Sequence, residues 1–263
     1  MHENGWIEQD MSMELQAVLN IAMEAGEILL RNGAETYRVE ESISKICNGF
    51  GFSCETIVLP TGIFLTVRSP QDETETSVRR IKVRTLDLTK IDRINTFSRN
   101  LASHPISFEE ASRQLEEIKA SRYYPAWLRL ICAATVTFAY ALLFGGSLKD
   151  ALVVFGIGAV VYLLNLRMVR SGYLPFLTFF SVGFICSFLV LLSPLVVTGT
   201  HVYIMIISSV MLYLPGMSMT NGVRDLLAGD LVSGLTRLGD AILTVLAIGM
   251  GAGLAISIVP RLF

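Results

Sequence analysis

Residues 213–240 read YLPGMSMTNGVRDLLAGDLVSGLTRLGD. The block is polar and dotted with glycine, and long apolar runs lie on both sides of it. Arg224, Asp225, Asp230 and Arg237 are charged, and Asp240 closes it, in a half of the chain that carries little other charge. Ionisable groups close to membrane spans are few, and those that are kept are often functional. The reading of this block decides the fold: the flanking runs become membrane spans and the block becomes their connection.

Working outward, the composition divides in two. Residues 1–125 hold 14 Lys and Arg against 19 Asp and Glu, a net charge of −5. Residues 126–263 hold 7 against 4, a net charge of +3. The first part has the charge density of a water-exposed domain, and the second is mostly apolar. The total of −2 describes neither half and gives no support for nucleic-acid binding. The first 25 residues are acidic and helical in pattern, without the basic, apolar and small-residue order of a cleaved leader. The N-terminal part is therefore expected to stay on the cytosolic side.

Five apolar segments stand near Trp127–Phe144, Ala151–Leu166, Tyr173–Leu192, Val196–Leu214 and Ala241–Val259. A span needs about 20 residues, which makes the second the shortest. Lys119, Arg122, Arg167, Arg170, Arg224 and Arg237 fall on one side of five such spans, and only Lys149 and Arg261 on the other. The positive-inside rule then puts the N-terminus in the cytosol and the C-terminus outside. Tyr123, Tyr124 and Trp127 stand where an aromatic belt is expected. Gly249 and Gly253 have the GxxxG spacing of close helix packing. The fold class expected is an α-helical multi-pass membrane protein of five transmembrane helices, residues 126–263. An N-terminal cytosolic α+β domain, residues 1–125, precedes it.

Within 1–125 the periodicity predicts two helices, Met11–Arg31 and one carrying Val39, Ile43, Ile46, Cys47 and Phe50. Strands follow at Glu55–Leu59 and Ile63–Val67 around a Pro60-Thr61-Gly62 turn, then at Val78–Leu86. Helices near Ile91–Ser103 and Ser107–Ser121 complete an ααβββαα order, with Ser107 and Glu110 spaced as a capping box. The basic strand at 80–84 lacks a stacking platform for single-stranded nucleic acid. Cys47, Cys54, Cys132 and Cys186 have no metal-type spacing and are expected as reduced, packed thiols. The histidines lack a second ligand nearby, so no metal site is read. No nucleophile elbow, Walker loop or dinucleotide fingerprint occurs, and no cofactor is expected.

Returning to the block, Pro215-Gly216 should end or break the fourth span, since proline removes a donor and clashes with the preceding turn. Asn221 is a candidate N-cap for a helix running to Leu238. Val223, Leu227, Leu231 and Leu235 then form an apolar stripe, with Asp230 at its edge. Arg224 can pair with a substrate carboxylate, and Asp225 or Asp230 can hold an ammonium or a proton. A plain cytosolic amphipathic helix with solvated charges is the competing reading, and residue chemistry alone leaves both open.

The string PGMSMTNGVRDLLAGDLVSGLTRL, together with GAETYRVEESI and PTGIFLTV in the N-terminal half, resembles the threonine/serine exporter family. The resemblance runs from about Leu15 to the end. It implies an efflux carrier for small polar metabolites, threonine and serine first, coupled to the proton motive force in a bacterial plasma membrane. In the split form of the family a second small membrane subunit completes the carrier, and some split pairs are associated with succinate instead. The family pattern places Pro215, Gly216, Asn221, Arg224, Asp225, Gly229, Asp230 and Gly234 in the motif. Asn221, Arg224, Asp225 and Asp230 are the substrate or coupling candidates, and Pro215, Gly216, Gly229 and Gly234 the break and packing positions. Two further readings give the N-terminal domain a hydrolase activity or a regulatory, ligand-sensing role.

Overall fold

The computed structural model describes residues 3–82, 85–104, 106–121 and 124–259, with side chains from residue 13 onward. It divides into two compact units, Met1–Arg122 with Ser218–Leu238, and Tyr123–Met217 with Gly239–Phe263. Composition changes at 125/126, whereas the compact units divide the chain differently, because 218–238 returns to the N-terminal unit.

The first unit begins with helices α1 (Glu3–Arg31) and α2 (Thr36–Gly49), then strands β1 (Ser53–Leu59), β2 (Gly62–Arg68) and β3 (Thr74–Arg80). Helices α3 (Leu88–Ser103) and α4 (Phe108–Ala120) follow. The strands form an antiparallel meander in the order β1-β2-β3. Leu59 pairs with Gly62 across a two-residue turn. A side chain on Gly62 would meet the Arg79 carbonyl oxygen at 2.9 Å, so glycine lets β3 close in there. β2 alternates, with Ile63, Leu65 and Val67 fully buried beneath the helices and Phe64 facing outward. The core continues through Leu19, Met23, Leu29, Ile43, Ile46, Ile94, Leu101 and Leu115.

The third strand departs from expectation. It covers Thr74–Arg80 and not 78–86, because β2 supplies only seven partners, from Arg68 opposite Thr74 to Gly62 opposite Arg80. Ile81 is buried just after the strand, and Val83 and Arg84 lie outside the described residues. At Ser107 only half of the capping box forms, the hydroxyl accepting from the Glu110 N–H. All four cysteines are free thiols, but Cys132 is exposed rather than packed.

In the second unit α5 (Ala126–Leu143) and α6 (Leu148–Arg170) are each followed by a turn, α7 (Pro175–Leu192) by a short 3-10 helix at Ser193–Leu195, and α8 (Val202–Met211) is short. α9 (Gly216–Leu227) lies almost wholly in the first unit, and α10 (Leu231–Ile258) runs in the first unit to Leu238 and in the second from Gly239. Among the described residues, four helical stretches are long and apolar enough to cross a membrane, and a fifth arises when α8 and α9 are counted together as one broken span. Five spans are thus reached with that pair, but the fourth segment is not the continuous span expected over Val196–Leu214. Gly199 adopts φ +77°, and residues 196–201 are not helical. The ten residues of α8 cover about 15 Å at 1.5 Å each, half the roughly 30 Å apolar core of a bilayer. The second segment, short by composition, becomes a 23-residue helix opened by a full Ser147–Asp150 capping box.

Inside this unit, a side chain on Gly183 would strike the Ile248 backbone, and one on Gly251 the Phe180 backbone, so glycine is what lets α7 and α10 approach. Gly249 and Gly253, the pair with GxxxG spacing, face open space instead. Asp150 is fully buried, and its carboxylate accepts from the His201 backbone N–H at 2.8 Å and contacts His201 Nδ1 at 2.9 Å. The 51 residues between the two hide this pair from a local reading of the chain.

Candidate functional site

The polar block folds back on the short segment between α1 and α2. α1 ends at Gly33, whose φ of +95° suits glycine, and Ala34-Glu35 lead into α2 at Thr36. Against this corner lie α9 and the first turns of α10, both inside the N-terminal unit from Ser218 to Leu238.

Helix geometry explains the hairpin between them. Gly229, with φ +91°, ends α9 and breaks the helix that the sequence extends to Leu238. Asp230 caps α10 by accepting the Ser233 N–H at 3.0 Å. Asn221 is therefore no N-cap. It is mid-helix, buried, and donates to the Gly33 carbonyl at 2.9 Å. The two helices close at a pair of glycines, since a side chain on Gly234 would meet Leu226 Cγ at 2.5 Å and the Gly222 carbonyl oxygen at 2.8 Å. Gly234→Val is accordingly expected to cost about 1–3 kcal/mol by overpacking, read as a lower unfolding temperature of the purified protein. Pro215 and Gly216 stand at the interruption between α8 and α9.

The amphipathic pattern is inverted. Val223, Leu227, Leu231 and Leu235, the apolar stripe, are 48, 83, 62 and 63% exposed. The buried face is polar: Asn221, Asp225, Ser233 and Arg237. Its groups find partners in the 33–38 segment. Arg224 Nη1 donates to Glu35 Oε1 at 2.8 Å, while Arg38 Nε lies 3.1 Å from Glu35 Oε2. Arg237 donates to the Ala34 carbonyl at 2.8 Å and pairs with Asp225 at 2.9 Å. The Thr36 hydroxyl reaches Asp225 Oδ1 and Asp230 Oδ2, each at 3.0 Å. A hydroxyl has one proton to donate, so with both carboxylates ionised only one of them is served at a time.

Arg224, Asp225 and Asp230 thus come together, and Asn221 flanks them. Glu35, Thr36 and Arg237 are the partners that residue reasoning did not single out as site candidates. Glu35 and Thr36 are 189 residues from their partners Arg224 and Asp225. The one local hint was the acid and hydroxyl placed at the mouth of an otherwise apolar-faced helix.

The electrostatics follow from the contacts. Burial pushes the Glu35 carboxyl up, but its own backbone N–H and the guanidiniums of Arg224 and Arg38 outweigh it and hold it below the ordinary range. Asp230 is likewise raised by burial and brought below its ordinary value by Ser233, Thr36 and Arg237. Glu40 moves the other way: burial and the Asp230 charge push it up, against a hydrogen bond from the Val58 N–H. A carboxyl with a raised folded pKa costs stability above that pKa and nothing once both states are protonated. Glu40→Gln is therefore expected to raise the unfolding temperature at pH 7. The gain should vanish as the pH falls below the ordinary glutamate value of 4.5. Thermal unfolding at the two pH values checks this.

Comparison with known proteins bears on what this arrangement serves. The family model described as putative threonine/serine exporter matches residues 20–259. The chain is 22% identical over 250 residues to a Mycobacterium tuberculosis protein named probable threonine/serine exporter, covering 94% of this chain and 46% of that one. It therefore spans about half the length of that relative. It is 24% identical over 246 residues to a Klebsiella aerogenes protein named probable succinate transporter subunit YjjP, covering 93% and 95%. A third relative is the pheromone-regulated membrane protein 10 of Eremothecium gossypii, 28% identical over 232 residues, 83% of this chain and 30% of that one. No solved structure matches the chain. A match across nearly the whole chain, on a protein rich in helices of membrane-spanning length, places it in the threonine/serine exporter family of membrane transport proteins.

Proposed function

We propose that this chain is an exporter subunit that moves threonine and serine out of the cell, driven by the proton motive force. A second small membrane subunit completes it. The observation that carries the reading is the Thr36 bridge between Asp225 and Asp230, one hydroxyl proton between two carboxylates, set beside Arg224. One added proton on either carboxyl completes both hydrogen bonds; Asp230 rests ionised, held so by Ser233, Thr36 and Arg237, so proton uptake there follows a loosening of those contacts during transport. Arg224 is 55% exposed and is held by Glu35, a carboxylate that a substrate carboxylate can replace as its partner. Binding of an amino acid then frees Glu35 for the substrate ammonium.

The basic residues Arg167, Arg170, Arg224 and Arg237 support an orientation with the N-terminus and the 213–240 block on the cytosolic side of a bacterial plasma membrane. Substrate would reach the site from the cytosol. A dicarboxylate is the second reading, favoured by the match along 95% of the relative named as a succinate transporter subunit. The test is the intracellular content of threonine, serine and succinate in cells with and without this chain and its partner subunit. Loss of the chain should raise threonine and serine. A rise confined to succinate replaces the first reading with the second, and no change in any of the three removes both.

A further inference from the structure

We propose that the N-terminal unit carries a separate binding site for a small organic dianion, of the dicarboxylate class, between α2 and α3. The site is a cavity of about 240 Å³. Ligand pockets for drug-sized molecules run to roughly 300–1,000 Å³, so this one suits a small metabolite. Arg38, Glu41, Ser42 and Lys45 line it from α2, and Ser98 and Arg99 from α3.

Its charge runs against its surroundings. Three cations and one carboxylate face the cavity, in the half of the chain whose net charge is −5. Glu41 is taken up by Lys45, 2.6 Å away. Arg99 donates to the Thr96 hydroxyl at 3.2 Å, and among the described residues no carboxylate pairs with it. The floor is polar as well. Ser42 and Ser98 are 4 and 2% exposed, and their hydroxyls lie 3.4 Å from Asn95 Oδ1 and 3.1 Å from the Asn95 carbonyl oxygen. Both hydroxyls donate their one proton to Asn95, so they make the floor polar while the guanidinium and ammonium groups above supply the donors for an anion's oxygens.

Spacing selects among anions. Arg38 and Lys45 are both on α2, about 10 Å apart along its axis at 1.5 Å per residue. These two positive poles rest on the carboxylates of Glu35 and Glu41, and a molecule with a carboxylate at each end can take over both at that separation, with Arg99 facing it from α3. A single phosphate engages one pole at a time. Arg38 also joins the cavity to the polar site through Glu35, which holds Arg38 at 3.1 Å and Arg224 at 2.8 Å. A dianion drawn to Arg38 competes with Glu35 for it and leaves Glu35 to Arg224. The cavity is thereby placed to report cytosolic anion level to the site, whatever the chain transports.

Calorimetric titration of the full-length purified protein with succinate, at fixed ionic strength, tests this. Saturable binding is expected, and Lys45→Gln and Arg99→Gln should each weaken it about tenfold, the loss of one charge-assisted hydrogen bond. Arg99 is exposed and Lys45 partly so, its pair with Glu41 being a surface one worth little, so the unfolding temperature without ligand should stay nearly unchanged, which separates loss of binding from loss of fold. Inorganic phosphate should bind at least tenfold more weakly than succinate. Three results overturn the proposal: no saturable binding, affinity unchanged in both variants, or phosphate binding as tightly as succinate.

Discussion

Asp225→Ala is expected to destabilise the N-terminal unit by about 3–5 kcal/mol, the usual cost of stranding one partner of a buried ion pair. Asp225 is fully buried, and the Arg237 side chain beside it is 8% exposed, with their atoms 2.9 Å apart. Without the carboxylate, the guanidinium keeps the Ala34 carbonyl and the charge of Asp230 nearby, but loses the opposite charge in direct contact with it. A buried charge so placed has given up its hydration and lost its contact ion pair. Removing both charges together is a different matter. The double substitution Asp225→Leu with Arg237→Met leaves no stranded charge, and apolar replacement of a buried pair is often neutral or better. The double variant should therefore recover most of the stability lost by the single one. Chemical unfolding of the three purified proteins, with membrane abundance as a cellular readout, checks this order. The double variant should nevertheless export nothing, because one carboxylate of the Thr36 bridge is gone.

The second large effect concerns Asp230. Asp230→Asn is expected to reduce export to background while the protein remains in the membrane at normal abundance. The reason lies in its two roles. As a cap, Asp230 accepts the Ser233 N–H at 3.0 Å, and asparagine caps helices about as well as aspartate. As a proton site, its other oxygen meets the Thr36 hydroxyl, and an amide cannot take up or release a proton there. Stability and transport should therefore separate at this position, whereas at Asp225 they fall together. Normal efflux from a well-expressed Asp230→Asn protein would remove Asp230 from the mechanism.

Much of the architecture is legible in local pattern. The hairpin of β1 and β2 between Ser53 and Arg68 follows from alternation and the Pro60-Thr61 turn, and the break at Pro215 follows from proline's missing N–H. α8 is shorter than the apolar run that contains it, because hydropathy counts apolar residues and does not register that Gly199 turns the chain. The site was legible in part. Charge in an apolar half marks Arg224, Asp225 and Asp230, but the pattern predicts one helix to Leu238 where the chain breaks into α9 and α10 at Gly229. An apolar stripe on a soluble helix points to the core, yet here the stripe with Leu227 and Leu231 is exposed and the polar face is buried. Under the proposed function, the apolar outer face suits lipid and the polar inner face belongs to the transport site. Glu35 and Thr36 were out of reach for a simpler reason: nothing local signals a contact 189 residues away.

The central claim is that the Thr36 bridge between Asp225 and Asp230 carries the coupled proton. The most direct measurement is threonine efflux from vesicles holding this chain and its partner subunit, with and without an imposed proton gradient, for the wild type and Thr36→Val. Valine keeps the shape of threonine and removes only the hydroxyl. The wild type should speed up under the gradient, and Thr36→Val, equally abundant, should show slow efflux that the gradient does not change. Equal acceleration in both proteins would contradict the claim.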